Sequence, residues 1–365
     1  MPTVAVDATS LLGRPTGVGV AVAGLIGALA AGPYRVVGYG LTGTGWRRLP
    51  ALLPPGVLPG RGPMPAALLG LAWARFDHPA IEAWTGPVDV VHGTNFVVPP
   101  SRRSPRLVTV NDLTPLRYPE LVTAASRRYP ALVARAAATG AHVHTPSQFV
   151  AGEVRERFGI SAERVHVVPW GLTVPDPGPT ARPPGPPYVI AVGTAEPRKD
   201  LPGLVAAWDR VAGELADLRL LLVGPEGWGE TELAAAIAAA SHRDRVERLG
   251  WVPDHAALIG GAAALAYPSR YEGFGFPPLE AMALGVPVVA TAAGAVPEVV
   301  GDAAALVPVG DPDALAEALL AVLTDAGERR RLVDAGRWQA ARYTWEATGA
   351  AVAGLYDRLV AGSRD

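Results

Sequence analysis

The chain has no cysteine among its 365 residues and a single lysine, Lys199, against 31 arginines. Without cysteine there is no disulfide, no thiolate nucleophile and no thiolate metal ligand, and the composition fits a reducing compartment. A basic excess is also missing: 32 basic against 34 acidic residues give a net charge of −2, which argues against a nucleic-acid partner. No run is apolar enough to read as a membrane span. Residues 15–34 carry no charge, but they are mostly Gly and Ala and run into Pro33, so they are expected to form a buried helix packed closely against a sheet. The opening stretch M-P-T-V-A-V-D has no basic region followed by an apolar one, so no signal peptide is expected.

What is present describes a well-packed α/β protein. Hydrophobic residues make up 49% and charged residues 18%, and the length favours two domains over one core. The segment P-D-P-G-P-T-A-R-P-P-G-P-P (175–187) holds seven prolines in thirteen residues, too many for helix or sheet pairing, and reads as a stiff linker. Before it, strand-like runs fall at 4–7, 36–39, 88–92, 106–110, 142–145 and 165–168, with helical stretches at 123–138 and at 147–158, the latter capped by Ser147. After it, strands are expected at 188–193, 219–223, 246–250, 263–267, 287–290 and 304–308. Helices fill the gaps near 200–216, 229–241, 254–261, 276–284, 312–324 and 327–341. Apolar strands alternating with helices imply parallel sheets covered on both faces, whose ligands bind beyond the carboxyl ends of strands.

Two motifs sit at such ends. G-T-A-E-P-R-K-D (193–200) follows the apolar run 188–192 and contains the lone lysine beside Arg198. Where arginine serves every other cationic position, a compact ammonium on a flexible stem points to an anion that the flat guanidinium fork would not suit. Two adjacent cations there could neutralise a diphosphate, each charged hydrogen bond contributing about 1.5–3 kcal/mol. The other reading is a surface pair at a helix start, with Asp200 as the cap. The second motif is E-G-F-G-F-P-P-L-E (272–280). Gly273 and Gly275 let backbone amides approach a ligand, and Pro277 and Pro278 suit a helix's first turn, whose positive end attracts anions. Glu272 precedes this helix and Glu280 lies on its second turn. Two acceptors flanking a phosphate site match a nucleotide sugar, which has ribose, diphosphate and sugar in that order.

These stretches resemble glycosyltransferase family 4. P-S-R-Y-E-G-F-G-F-P-P-L-E-A-M-A-L-G-V-P-V-V-A-T (268–291) and G-A-V-P-E-V-V-G-D-A-A (294–304) follow the family pattern nearly throughout. The resemblance implies the GT-B fold, two Rossmann-like parallel-sheet domains facing across a cleft, here 1–174 and 188–342, with 343–365 a helix crossing back to the first domain and Trp345 a packing residue. It implies a retaining glycosyltransferase moving a hexose from a nucleotide diphosphosugar to an acceptor hydroxyl, in polysaccharide, glycolipid or cell-envelope glycan synthesis, without a metal or other cofactor. The form G-T-x-E-P-R-K is similar to members using GDP-mannose, with UDP- and dTDP-sugars as other donors. By the same resemblance Glu272 holds the donor-sugar hydroxyls with the amides of Gly273, Phe274 and Gly275, Glu280 grips the ribose, and Arg198 and Lys199 take the diphosphate beside Gly193 and Thr194.

On the amino side, T-G-V-G (16–19), with Gly17 and Gly19, is similar to the family's glycine loop near the acceptor and phosphates, and H-G-T-N-F (92–96) and V-N-D-L-T-P-L-R-Y-P-E (110–120) occupy matching places. Asn111 stands where most relatives have a histidine that contacts the donor sugar. It cannot titrate, so either His92 takes over part of that role, with Asp112 orienting the acceptor, or the protein is a catalytically weak nucleotide-sugar-binding protein or partner subunit. A dinucleotide-dependent oxidoreductase fits poorly, because Gly17-x-Gly19 lacks the third glycine and the later acidic residue. A Walker loop is excluded by Asp200 after Lys199. His142 and His144 share a strand face as a metal pair would, without a third ligand in view, and Asp311 and Asp313 read as helix caps. The apolar, proline-rich stretch 49–73 and Arg102, Arg103 and Arg106 read as an ordinary long loop or as a contact with the inner face of a membrane carrying the acceptor; the expected location is cytoplasmic.

Overall fold

The computed structural model describes residues 1–13, 16–124, 126–174, 185–253 and 255–363. Most of the proline-rich segment expected as a linker (175–184) lies outside them. The chain divides into two compact units, Met1–Thr173 with Tyr343–Asp365, and Val174–Arg342.

The first unit is a seven-stranded parallel sheet: β1 (Thr3–Asp7), β2 (Arg35–Tyr39), β3 (Leu58–Pro59), β4 (Val90–Gly93), β5 (Arg106–Thr109), β6 (His142–Thr145) and β7 (Val165–Val167), in the order β3-β2-β1-β4-β5-β6-β7. The two-residue edge strand β3 was not legible in the sequence. The charge-free run is the helix Gly17–Ala30, in which Gly24 serves a helix–helix contact rather than a sheet contact. A Cβ on Gly24 would fall 2.1 Å from the ring of Trp345, and one on Gly349 would fall 2.7 Å from Ala28. Small residues thus let the C-terminal helix Trp345–Gly362 lie directly on Gly17–Ala30, and Trp345 is packing, as expected.

The second unit is a six-stranded parallel sheet of β8 (Tyr188–Val192), β9 (Arg219–Val223), β10 (Val246–Gly250), β11 (Ala264–Tyr267), β12 (Val288–Thr291) and β13 (Ala305–Val307), ordered β10-β9-β8-β11-β12-β13. Its four inner strands β9, β8, β11 and β12 are almost wholly buried, and Leu204, Trp208 and Val211 of the helix Leu201–Glu214 and Leu315 and Leu319 of the helix Pro312–Thr324 cover one face. Both sheets are therefore doubly wound Rossmann-like layers. The direction of winding reverses between β1 and β4 in the first and between β8 and β11 in the second. At such a reversal the flanking loops splay apart and leave a crevice outside the carboxyl ends of the strands.

Candidate functional site

The two motifs singled out by sequence are the loops that leave β8 and β11, on either side of the reversal in the second sheet. They are joined by backbone and side chain. Arg270 N donates to Arg198 O at 2.7 Å, and the Arg270 guanidinium pairs with Asp200 at 3.0 Å. Asp200 does not cap the following helix; it sits in the left-handed region (φ 48°) with its carboxylate turned to Arg270.

Between the loops lies a closed group of four charges. Lys199 Nζ is 2.5 Å from one oxygen of Glu272, and the Arg198 guanidinium is 3.1 Å from the other. Arg198 also pairs with Glu196 at 2.9 Å. Lys199 donates in addition to the Tyr267 hydroxyl at 3.1 Å, with its ammonium 4.8 Å from the centre of that ring. Lys199 and Glu272 are buried. Burial alone would push the Glu272 carboxyl up; the Lys199 and Arg198 charges outweigh it and hold the pKa at about 2. Burial pulls the Lys199 ammonium below its ordinary value, only partly offset by Glu272. Glu272 is ionised at neutral pH, and its charge is spent on the two cations. Sequence reasoning placed sugar-binding and phosphate-binding roles on separate residues; it did not anticipate that the same residues bind one another.

Glycines make room for this group. A Cβ on Gly193 would press on Lys199 at 3.3 Å, and Gly224, at φ +144°, approaches so closely that a Cβ would fall 2.0 Å from Gly193 O. Gly294, at φ +58°, lies against Glu272, where a Cβ would meet Glu272 O at 2.3 Å, and Ala295 N donates to that same oxygen at 2.9 Å. Neither Gly224 nor Gly294 was singled out beforehand, although Gly294 opens the quoted G-A-V-P-E stretch. Thr194 is half-buried beside Gly193, and its carbonyl accepts from Glu196 N at 2.8 Å. Gly273, Phe274 and Gly275 form a buried turn; Gly275 takes φ +124° and precedes the helix Phe276–Ala283, with Pro277 and Pro278 in its first turn. Glu280, one turn further, pairs with His255 at 3.1 Å, a partner the sequence did not suggest.

In the first unit the expected residues fare differently. Gly17 and Gly19 lie inside the helix Gly17–Ala30 rather than in a loop, and Gly19 N is capped by Thr16 Oγ1 at 3.3 Å. His92, at the end of β4, is fully buried and both ring nitrogens are engaged. The proton assignment follows from the far end of a chain. Val168 O can only accept, so His144 Nε2 carries the proton, and His144 Nδ1 accepts from Thr109. Thr109 then accepts from His92 Nε2, and His92 Nδ1 accepts from Tyr356. Burial, with His144 adding to it, keeps His92 well below its ordinary pKa. His92 has no nitrogen left for a sugar, which corrects the expectation that it covers for Asn111. Asn111 Nδ2 donates to Thr94 O and Asn95 Oδ1 at 3.3 Å, and Oδ1 accepts from Trp170 Nε1 at 3.2 Å. Asp112 accepts from Thr114 N at 2.8 Å, a turn-forming bond. His142 stacks on His166, nitrogen to nitrogen 2.9 Å, so the two histidines of β6 serve separate contacts and not one metal. Asp311 caps the helix Pro312–Thr324, while Asp313 is an exposed partner of Arg210 at 3.8 Å. Sequence reasoning overlooked Asp7, buried at the carboxyl end of β1, where burial raises its pKa to about 6 against the bonds from Thr9. Among the described residues, no helix is long and apolar enough to cross a membrane.

The comparisons with known proteins agree with the two-sheet architecture. The family described as Glycosyltransferase Family 4 matches residues 15–174, and the family described as Glycosyl transferases group 1 matches residues 176–339. The O-antigen chain mannosyltransferase B of Escherichia coli is 31% identical over 289 residues, 74% of this chain and 76% of that protein. The MMP alpha-(1->4)-mannosyltransferase of Mycolicibacterium hassiacum is 36% identical over 229 residues, which span 60% of this chain and only 54% of that protein. The crystal structure of Anabaena HepE in complex with UDP and glucose superposes with a TM-score of 0.75 at 19% identity, covering 98% of this chain and all of that one. Sucrose-phosphate synthase from Thermosynechococcus elongatus gives 0.76 at 22%, covering 99% and 100%. The structural likenesses establish the fold. The sequence matches establish that the chain belongs to glycosyltransferase family 4, and it is a glycosyltransferase.

Proposed function

We propose that this member of glycosyltransferase family 4 is a retaining hexosyltransferase that uses a nucleotide diphosphosugar, GDP-mannose before UDP- or dTDP-sugars, and transfers to a hydroxyl of a glycan or glycolipid at the cytoplasmic face of a membrane. The observation that carries it is the sharing of Glu272 between Lys199 and Arg198 at the reversal of the second sheet. The two cations and Glu272 satisfy one another. An incoming diphosphate gives the cations a stronger partner, since it offers more acceptor oxygens and charge than one carboxylate. Glu272 is then released to accept from hydroxyls of the donor sugar, and the turn at Gly273, Phe274 and Gly275 lies beside it. In this reading Glu280, on the helix Phe276–Ala283 that follows the turn, takes the ribose, exchanging His255 for a sugar hydroxyl.

As the glycosidic bond lengthens, charge accumulates on the diphosphate, and Arg198 and Lys199 stabilise it where it forms. The acceptor hydroxyl attacks on the face the diphosphate leaves and gives its proton to the departing diphosphate oxygen as the new glycosidic bond forms, so the configuration at the reacting carbon is kept without a protein nucleophile. The family resemblance assigns Asn111 and Asp112 to the acceptor or sugar side; Asn111, already held by Trp170, positions by hydrogen bonding and not by proton transfer. Support for mannose comes from the G-T-A-E-P-R-K form and from the two mannosyltransferases among the relatives.

The test is turnover. Wild-type protein with GDP-mannose and a mannoside acceptor should release GDP and give an α-linked product by NMR, and Glu272→Gln should abolish release while GDP still binds. Binding of donor without transfer or hydrolysis by the wild type would point instead to the binding-protein reading that Asn111 raised.

A further inference from the structure

Asn111 stands two residues beyond β5, half-buried, with its carboxamide held from three sides. A carbonyl only accepts and an indole N–H only donates, so the neighbours decide which way the group faces. Nδ2 faces Thr94 O at 3.3 Å, and Oδ1 faces Trp170 Nε1 at 3.2 Å. The other proton of Nδ2 goes to Asn95 Oδ1, also at 3.3 Å. Both N–H bonds are therefore engaged. Among the described residues, what remains open on the carboxamide is the second lone pair of Oδ1.

Nothing in the sequence singled out Trp170, yet the first unit fixes it from two directions. It is only 2% exposed. The His144 ring meets it edge-on, with centroids 4.8 Å apart and planes at 86°, and His144 Nε2 donates to Val168 O, two residues before it. The C-terminal helix Trp345–Gly362 and the residues leading into it hold the backbone around it. Thr348 Oγ1 donates to Pro169 O at 2.8 Å, and Leu172 N donates to Tyr343 O at 3.0 Å. A Cβ on Gly171 would fall 2.4 Å from Trp345 N, so the residue after Trp170 has room for glycine alone. A ring held on both sides in this way cannot follow a moving partner. The indole N–H sets where Asn111 Oδ1 stands, and not the reverse.

We infer that Trp170 is a positioning residue for the transfer: braced by His144 and the C-terminal helix, it turns the Asn111 carboxamide so that Oδ1, and not Nδ2, is offered to the donor sugar. This rests on the reading that Asn111 belongs to the sugar side, and it adds the chemical class which that residue selects. A carbonyl lone pair accepts from a neutral hydroxyl and is repelled by a carboxylate. The donor is therefore a hexose with neutral hydroxyls rather than a hexuronate. Loss of the indole N–H frees the carboxamide to swing and lets an amide proton reach the sugar, which weakens the selection.

A double-mutant cycle on the full chain tests it: wild type, Trp170→Phe, Asn111→Ala and the two combined, each assayed with GDP-mannose and with GDP-mannuronate. Trp170→Phe should lower kcat/KM for GDP-mannose by about tenfold and shrink the preference for hexose over uronate by a similar factor. In the Asn111→Ala background it should change neither. A tryptophan that only packs would lose activity equally in both backgrounds and leave the preference intact. That result, or Trp170→Phe kinetics equal to the wild type, would overturn the inference. Should Trp170→Phe fail to fold, Thr348→Val takes its place, since it releases only Pro169 O beside Trp170; the same coupling to Asn111→Ala is expected, and additivity would again overturn it. A wild type that transfers from no donor refutes the proposed function separately. The indole N–H proton resonance of Trp170 then decides: it should move upfield in Asn111→Ala, and an unmoved resonance would show that Trp170 does not hold Asn111.

Discussion

Lys199 and Glu272 face each other at 2.5 Å inside the second unit, one from the loop after β8 and the other from the loop after β11. The pair ties the two loops together and neutralises a buried cation with a buried anion. Removing one member of a buried pair strands the other, at a cost of about 3–5 kcal/mol; here Arg198 remains beside Glu272 and softens that cost.

The pair makes acid sensitivity specific to Glu272. Its folded pKa of about 2 lies below the ordinary value of 4.5, so its contribution is fully present above about pH 4.5 and is lost as pH falls toward 2. The size is about 3 kcal/mol. Urea unfolding of the wild type should show that loss between these limits, and Glu272→Gln should be less stable at pH 6 yet converge with the wild type near pH 2. A parallel pair of curves would show that Glu272 is not held by the cations.

Tyr267 is the second partner of Lys199, after Glu272, and is buried on β11. Tyr267→Phe keeps the ring against the ammonium but removes the acceptor. Stability should fall by about 1 kcal/mol, and KM for the donor should rise more than kcat falls, because the ammonium is less well placed before the diphosphate binds. Equal kcat and KM to the wild type would remove Tyr267 from the site.

Asp7 carries the opposite sign. Its folded pKa of about 6 exceeds the ordinary 3.8, so it favours the folded state fully below about pH 3.8 and loses that contribution as pH rises through 6. Asp7→Asn should therefore be more stable than the wild type at pH 8, by about 2–3 kcal/mol, with the advantage gone by pH 4. Denaturant curves at the two pH values decide this.

Two glycines of the same helix should respond in opposite directions. Alanine normally stabilises a helix interior over glycine by about 1 kcal/mol. Gly27 has nothing within 4 Å of an added Cβ, so Gly27→Ala should be neutral or stabilising. At Gly24 the added carbon meets the Trp345 ring, and overpacking of about 1–3 kcal/mol should win. Gly24→Ala combined with Trp345→Ala should recover part of the loss in thermal melts.

Much of this architecture was legible in the sequence because parallel strands are read from apolar runs. The twelve expected strands appear within a residue or two of their places, and the P-P turn before Glu280 is where it was expected. The edge strand Leu58–Pro59 escaped because two residues carry no period. The helix Ala66–Trp73 escaped because Pro and Gly around it signal loop, and only tertiary contacts of Leu69 and Trp73 fix it. His92 was misjudged for a related reason. Its partners Thr109 and Tyr356 are 17 and 264 residues away, and no local pattern shows that both nitrogens are taken. The same holds for Glu272, whose motif announced a ligand site but whose partners lie more than seventy residues upstream.

The most direct measurement is the melting temperature of wild type and Lys199→Ala against GDP-mannose, UDP-glucose, ADP-glucose and dTDP-glucose, with the free diphosphates alongside. Saturating ligand at a hundred times Kd contributes about 2.7 kcal/mol to a folded state that alone binds it, so one nucleotide series, GDP first, should raise the wild-type midpoint by several degrees and the variant's by much less. A wild type that no sugar nucleotide stabilises, or a variant at 199 that responds as strongly, would contradict a diphosphate site built on Lys199 and Arg198.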